Sequence, residues 1–171
     1  MSKISGLVLR NARRQDIPLI FSFIRELADY ERLTEEVKVT EVDLEEHLFG
    51  KSSSAEVVIA EYKNEPVGFA LFFSNFSTFL GKPGIYLEDL FVRVSARGKG
   101  IGRALVTHLA GVARERNCGR LEWSVLNWNQ SAIEFYRRLG AVPLKEWTVY
   151  RLTGKALQEL GSATDTALGA D

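Results

Sequence analysis

The chain has 171 residues, enough for one domain with a real core, and 46% apolar with 26% charged residues is ordinary globular composition. Lys plus Arg equals Asp plus Glu at 22 each, which gives no reason to expect a nucleic acid or a membrane surface as partner. One cysteine, Cys118, excludes an internal disulfide and suits a reducing cytosol; with only His47 and His108 beside it, no metal site is expected.

In chain order, Met-Ser-Lys-Ile-Ser at the start has no apolar targeting region, and no run approaches the roughly 18 apolar residues of a membrane span, so a cytoplasmic protein is expected. Gly6–Arg10 reads as a first strand. Ile17, Ile20, Phe21, Ile24, Leu27 and Ala28 recur at three and four and predict a helix from Asp16 to near Leu33. Thr40 and Asp43 have the spacing of a capping box and open a second helix to about Leu48. Glu56–Tyr62 reads as strand, Lys63-Asn64-Glu65 as a hairpin turn, Pro66–Phe76 as a long aromatic strand and Thr78–Gly84 as a loop. A central strand follows from Tyr86 to Val92, then a glycine-rich turn and a helix marked by Leu105, Leu109, Val112 and Ala113 that stops near Asn117. Leu121, Trp123 and Val125 alternate as a fifth strand. Asn129 can cap a helix that Gly140 closes. Val142–Leu144 and Trp147–Leu152 read as a last pair of strands, Lys155–Leu160 as a terminal helical turn or two, and Gly161–Asp171 as a flexible tail. Residues 1–160 thus read as one domain with a mixed α/β sheet.

Two features point to chemistry. The turn Arg97-Gly98-Lys99-Gly100-Ile101-Gly102-Arg103 packs three glycines into five residues at a helix start, where bare backbone N–H groups can converge on a phosphate. It lacks the Gly-Lys-Ser/Thr of the triphosphatase loop, and in the dinucleotide pattern the third glycine falls on Arg103. Arg-x-x-Gly-x-Gly remains, met by Arg97, Gly100 and Gly102. On the strand before it stand two adjacent carboxylates, Glu88 and Asp89. By strand alternation Tyr86, Glu88 and Leu90 face one side, and Leu87, Asp89 and Phe91 the other. From Glu26 to Glu46 there are nine acidic and two basic residues, read either as solvated helix faces or as an acidic wall for a cationic substrate.

The blocks Glu26-Leu-Ala-Asp-Tyr30-Glu31, Thr40-Glu-x-Asp-Leu44, Phe49-Gly50, Tyr86-Leu-Glu88-Asp89-Leu-Phe-Val92, Arg97-Gly-x-Gly-Ile-Gly102, Trp128-Asn129, Phe135-Tyr136 and Gly140-Ala141 occur in one order. Together they resemble the GCN5-related N-acetyltransferase (GNAT) superfamily, closest to its spermidine/spermine and thialysine N-acetyltransferases. The resemblance implies a mostly antiparallel sheet splayed between strands 4 and 5, acetyl-CoA as donor, a small cationic di- or polyamine or lysine-like acceptor, and a homodimer with C-terminal strands near its interface. Within the superfamily, acetylation of a protein N-terminus or lysine and non-catalytic acyl-CoA binding stay open.

Residue by residue, the resemblance puts Tyr136 where the family's proton donor sits; a phenol of pKa ~10 can protonate a leaving thiolate. Glu88 is the candidate base through water, or binds the ammonium and orders a water; covered on both sides of the sheet, its carboxylate would be kept only for use or to satisfy an arginine. The backbone of Leu90, Phe91 and Val92 should pair with pantetheine amides, and Gly98, Lys99, Gly100, Ile101, Gly102 and Arg103 with Arg97 should hold the diphosphate. Asn129 either contacts the cofactor or only caps its helix. Tyr30, Glu31, Glu88, Asp89, Glu122, Trp123 and Ser124 are the candidate substrate residues. Trp123 and a short loop after Gly140 depart from the polyamine enzymes and put the length of the amine in question. Cys118 and His108 read as structural, against a thiol acyl-enzyme route.

Overall fold

The computed structural model describes residues 4–162, and by their contacts these fall into two compact units, one ending at Gln130 and one beginning at Ser131. The first unit holds a single sheet in the order β1 (Leu7–Asn11), β2 (Glu56–Tyr62), β3 (Glu65–Ser77), β4 (Lys82–Val92), β5 (Arg120–Trp123). Neighbours are antiparallel except β4 and β5, which run parallel. Lys63 and Asn64, at φ 55° and 66°, make the β2–β3 hairpin turn; two successive positive φ values match the right-handed twist of the strands they join. β4 begins at Lys82, so the loop expected over Thr78–Gly84 is shorter than its glycines suggested: Ser77 pairs with Lys82, and Gly84 sits inside the ladder.

The sheet is covered on both faces. Helix α3 (Ile101–Glu115) lays Ile101, Leu105 and Leu109 on Val58, Ala70, Ile85 and Leu87. Helices α1 (Ile17–Glu31) and α2 (Glu41–Phe49) lay Ile20, Phe23, Leu44 and Leu48 on Ile59, Phe69 and Phe91, with the Phe23 and Phe69 rings stacked at 5.5 Å. The buried Asp16 fixes the entry to α1: its carboxylate accepts from Arg10 at 2.7 and 2.9 Å and from the Arg13 N–H at 2.7 Å. Thr40 and Asp43 form the expected capping box on α2.

In the second unit, α4 (Gln130–Arg138, starting one residue before the unit) is closed by Gly140 at φ 91°, and α5 spans Gly154–Ser162. Gly161 and Ser162 are therefore helical, and the rest of the expected tail lies outside the described residues. The strand pair expected over 142–152 does not form. A strand needs a neighbour for its backbone groups, none pairs there among the described residues, and Val142, Trp147, Val149 and Tyr150 stand exposed. No described helix is long and apolar enough to cross a membrane.

Candidate active site

The centre of the candidate site is a bulge. Leu71 pairs with Asp89 and the next residue, Phe72, with Leu87, so Glu88 is an extra residue in β4. The strict alternation expected from the sequence is therefore wrong across it: Ile85, Leu87, Leu90 and Val92 all face α3, and Asp89 shares the α1 face with Phe91. Glu88 is left exposed, and the desolvation expected for it falls on Asp89 instead. Burial, with the charges of Glu88 and Glu31 added, pushes the Asp89 carboxyl up to about 7. Burial also raises Glu31. Two carboxyls at the end of α1 and in β4 thus hold protons more tightly than free ones, and an approaching cation would relieve both.

Helix α1 stops here because Arg32 takes the left-handed conformation at φ 62°. That end presents Tyr30 and Glu31. The Tyr30 ring lies 6.2 Å from Trp128, the Arg97 guanidinium sits 4.3 Å from the Tyr30 centroid, and that of Arg32 is 5.9 Å from Trp128. Arg97 also donates its Nε–H to the Val92 carbonyl at 2.9 Å. Trp128 and Arg32, which join this cluster, were not among the residues expected there. Trp128 beside Asn129 was a usable signal; Arg32 had none.

β5 pairs with β4 only over Gly84–Leu87, so Glu88–Val92 run on without a β5 neighbour. The strand then passes through a short 3-10 turn, Val94–Ala96, into the glycine turn. Gly98 and Gly100 sit at φ 76° and 82°, conformations that side chains rarely adopt, and a β-carbon on Gly98 would meet nothing within 4 Å. The N–H groups from Gly98 to Arg103 find no acceptor among the described residues, as the first turn of a helix requires. N–H groups without an acceptor among the described residues, at a helix N-terminus with Arg97, Lys99 and Arg103 around them, suit a diphosphate; an extended edge of β4 leading into them suits an amide-bearing chain.

The remaining expected residues are less concentrated. Glu122 is paired with Arg120 at 2.9 Å and accepts from Asn75 at 3.4 Å, so its charge is already spent. Trp123 packs on the α3 side of the core. Ser124 shares a 2.8 Å hydrogen bond with the Tyr86 hydroxyl, and the Tyr86 ring stacks on Phe73. Asn129 is buried immediately before α4. Tyr136 belongs to the second unit, on α4, with its ring 5.1 Å from Phe135. Of the acidic run, Glu26 is held by Arg93 at 2.7 Å, Glu45 by Arg14, and Asp43 by the cap, whereas the charge of Glu31 acts on Asp89.

The profile of the acetyltransferase (GNAT) family matches residues 21–141. A thialysine N-epsilon-acetyltransferase of Bos taurus is 36% identical over 165 residues, covering 90% of this chain and 96% of the relative. An L-ornithine N5-acetyltransferase of Arabidopsis thaliana is 33% identical, over 89% of this chain and 86% of its own. Among solved structures, an integron cassette protein from the mobile metagenome of V. cholerae superposes with TM-score 0.76 at 33% identity, over 91% of this chain and 98% of its own.

Proposed function

Since the chain belongs to the acetyltransferase (GNAT) family and is an N-acetyltransferase, we propose that it transfers acetyl directly from acetyl-CoA to the terminal amine of a small acceptor with two ammonium groups, such as thialysine, ornithine or a diamine. The observation that carries this reading is that β4 outlasts β5 and runs from the desolvated carboxyl of Asp89 straight into the open glycine turn. When bound, acetyl-CoA supplies the activated thioester. Gly98, Lys99, Gly100, Ile101, Gly102 and Arg103 hold its diphosphate with Arg97, and Leu90, Phe91 and Val92 offer backbone to its amides, with Asn129 beside them.

An alkylammonium has no lone pair at neutral pH and must lose a proton before it can attack. Asp89, poised at about 7, is matched to that task, and Glu88 on the bulge binds the ammonium or orders the water that carries the proton away. Glu31 and the faces of Tyr30 and Trp128 suit the second positive charge of the acceptor. Tyr136 protonates the departing thiolate. Ser124 and the already paired Glu122 bound the acceptor's far side, while Trp123, packed on the α3 face, supports β5 from behind. Two relatives support this acceptor class: one acts on thialysine and one on L-ornithine, both amino acids with a side-chain amine.

We further propose a cytoplasmic homodimer. It is supported by the row of exposed large side chains from Val142 to Leu152, and light scattering at micromolar concentration tests it. The function is tested by free-thiol release from acetyl-CoA with thialysine, ornithine, lysine, putrescine, spermidine and a short peptide as acceptors. Turnover should favour the small dibasic acceptors and fall at least tenfold in Tyr136→Phe. Turnover of the peptide alone would point to protein acetylation, and coenzyme binding without turnover of any amine to a non-catalytic binder.

A further inference from the structure

Arg97 makes a contact that holding a diphosphate does not require. Its guanidinium lies 4.3 Å from the Tyr30 ring centroid, and its Nε–H is tied to the last carbonyl of β4 at 2.9 Å. Beyond Tyr30 the pattern repeats, ring to ring and then to a second guanidinium, as Arg97, Tyr30, Trp128 and Arg32. An aromatic face on the residue next to Glu31, whose charge acts on Asp89, is where a substrate ammonium would be expected to settle, and in this arrangement a cation of the protein already lies on it.

We propose that Arg97 is a latch between the two binding sites: its guanidinium lies on Tyr30, and a coenzyme diphosphate at the glycine turn competes for it, draws it away and frees the Tyr30 face for the substrate cation. The inference rests on the acetyltransferase reading above and adds an order to it. Arg97 opens the turn whose N–H groups from Gly98 to Arg103 find no acceptor among the described residues, so it needs only to redirect its own side chain to meet an anion held there. A charge-assisted bond from guanidinium to phosphate is stronger than an exposed cation–π contact, so the exchange runs toward the phosphate. An exposed contact of this kind changes an equilibrium about two- to fivefold. By linkage, whatever affinity the amine gains once the coenzyme has freed the ring, the coenzyme gains equally from bound amine.

The latch makes a prediction that simple loss of a site residue would not. If Arg97 must leave Tyr30 to reach the diphosphate, removing the ring should help the coenzyme. Titration calorimetry of coenzyme A should therefore give a Kd about two- to fivefold lower for Tyr30→Leu than for wild type, with Tyr30→Phe, which keeps the ring, unchanged. In parallel, the Arg97 side-chain Nε–Hε resonance of the wild-type protein should carry a ring-current shift that saturating coenzyme A removes. Unchanged or weaker coenzyme A binding by a folded Tyr30→Leu, or an Arg97 resonance that coenzyme A does not move, overturns the latch and leaves the acetyltransferase reading standing. No coenzyme A binding by the wild-type protein removes both.

Discussion

Asparagine in place of Asp89 should make the protein more stable at neutral pH while disabling it. In the folded chain this carboxyl is pushed from 3.8 to about 7, first by burial and then by the charges of Glu88 and Glu31. A group whose folded pKa is raised binds more protons folded than unfolded between those values. Stability must therefore fall as pH rises from about 4 to about 7, and stay reduced above. Each unit is worth about 1.4 kcal/mol, so a shift of this size has a ceiling of roughly 4 kcal/mol, and the side chain's residual contact with water trims it toward about 2. Urea denaturation of wild type and Asp89→Asn at pH 4, 5.5, 7 and 8.5 reads this directly. The two should be nearly equally stable at pH 4, and the variant should be ahead by about 2 kcal/mol or more at pH 8.5, because its amide has no proton to lose. Acetyl transfer by wild type should rise through pH 7 as Asp89 ionises, and that inflection should vanish in the variant. Parallel stability profiles, or a carboxyl carbon of Asp89 that titrates near 4 by NMR, would refute the reasoning.

Asp16 carries the opposite sign. The Arg10 guanidinium, ahead of the opposing effect of burial, holds its carboxyl below the usual range. Its contribution is present above the unfolded pKa of about 4 and is lost as pH falls through the depressed folded value. Asp16→Asn should lower unfolding free energy by roughly 2 kcal/mol at pH 7, since Arg10 loses its bidentate partner but keeps Glu61, with the gap closing in acid. Thermal melts at pH 7 and pH 3 measure it. Thr40→Ala breaks the capping box on α2 and should cost about 1 kcal/mol, read as a shift in denaturant midpoint with turnover unchanged, because α2 contributes no residue to the site.

What the sequence disclosed and what it hid divide along a physical line. Local rules worked where the signal is local: the Thr40–Asp43 box, the Lys63–Asn64 turn and the Arg97–Arg103 turn all form where their residues stand. The bulge at Glu88 was hidden because no glycine or proline marks it, and one unmarked insertion reverses every facing residue beyond it. That is why the burial expected of Glu88 belongs to Asp89. The contacts of Arg97 with Tyr30 and of Arg32 with Trp128 join segments far apart in the chain, and no spacing rule reaches across such gaps. The side chains of Trp147–Leu152 read as a strand, but a strand also needs an edge to pair with, and the residues themselves say nothing of that.

The claim on which the account rests is that the turn from Arg97 to Arg103 brings bare backbone against a coenzyme's diphosphate, and coenzyme A affinity of Gly98→Ala tests it most directly. A β-carbon at position 98 points into open space, so the folded chain loses only the strain of a side chain at φ 76°, about 1–2 kcal/mol in a melt. Calorimetry should nevertheless show coenzyme A binding weakened tenfold or more, because the added methyl stands where the phosphate must approach. A folded Gly98→Ala protein that binds coenzyme A as tightly as wild type would contradict the account.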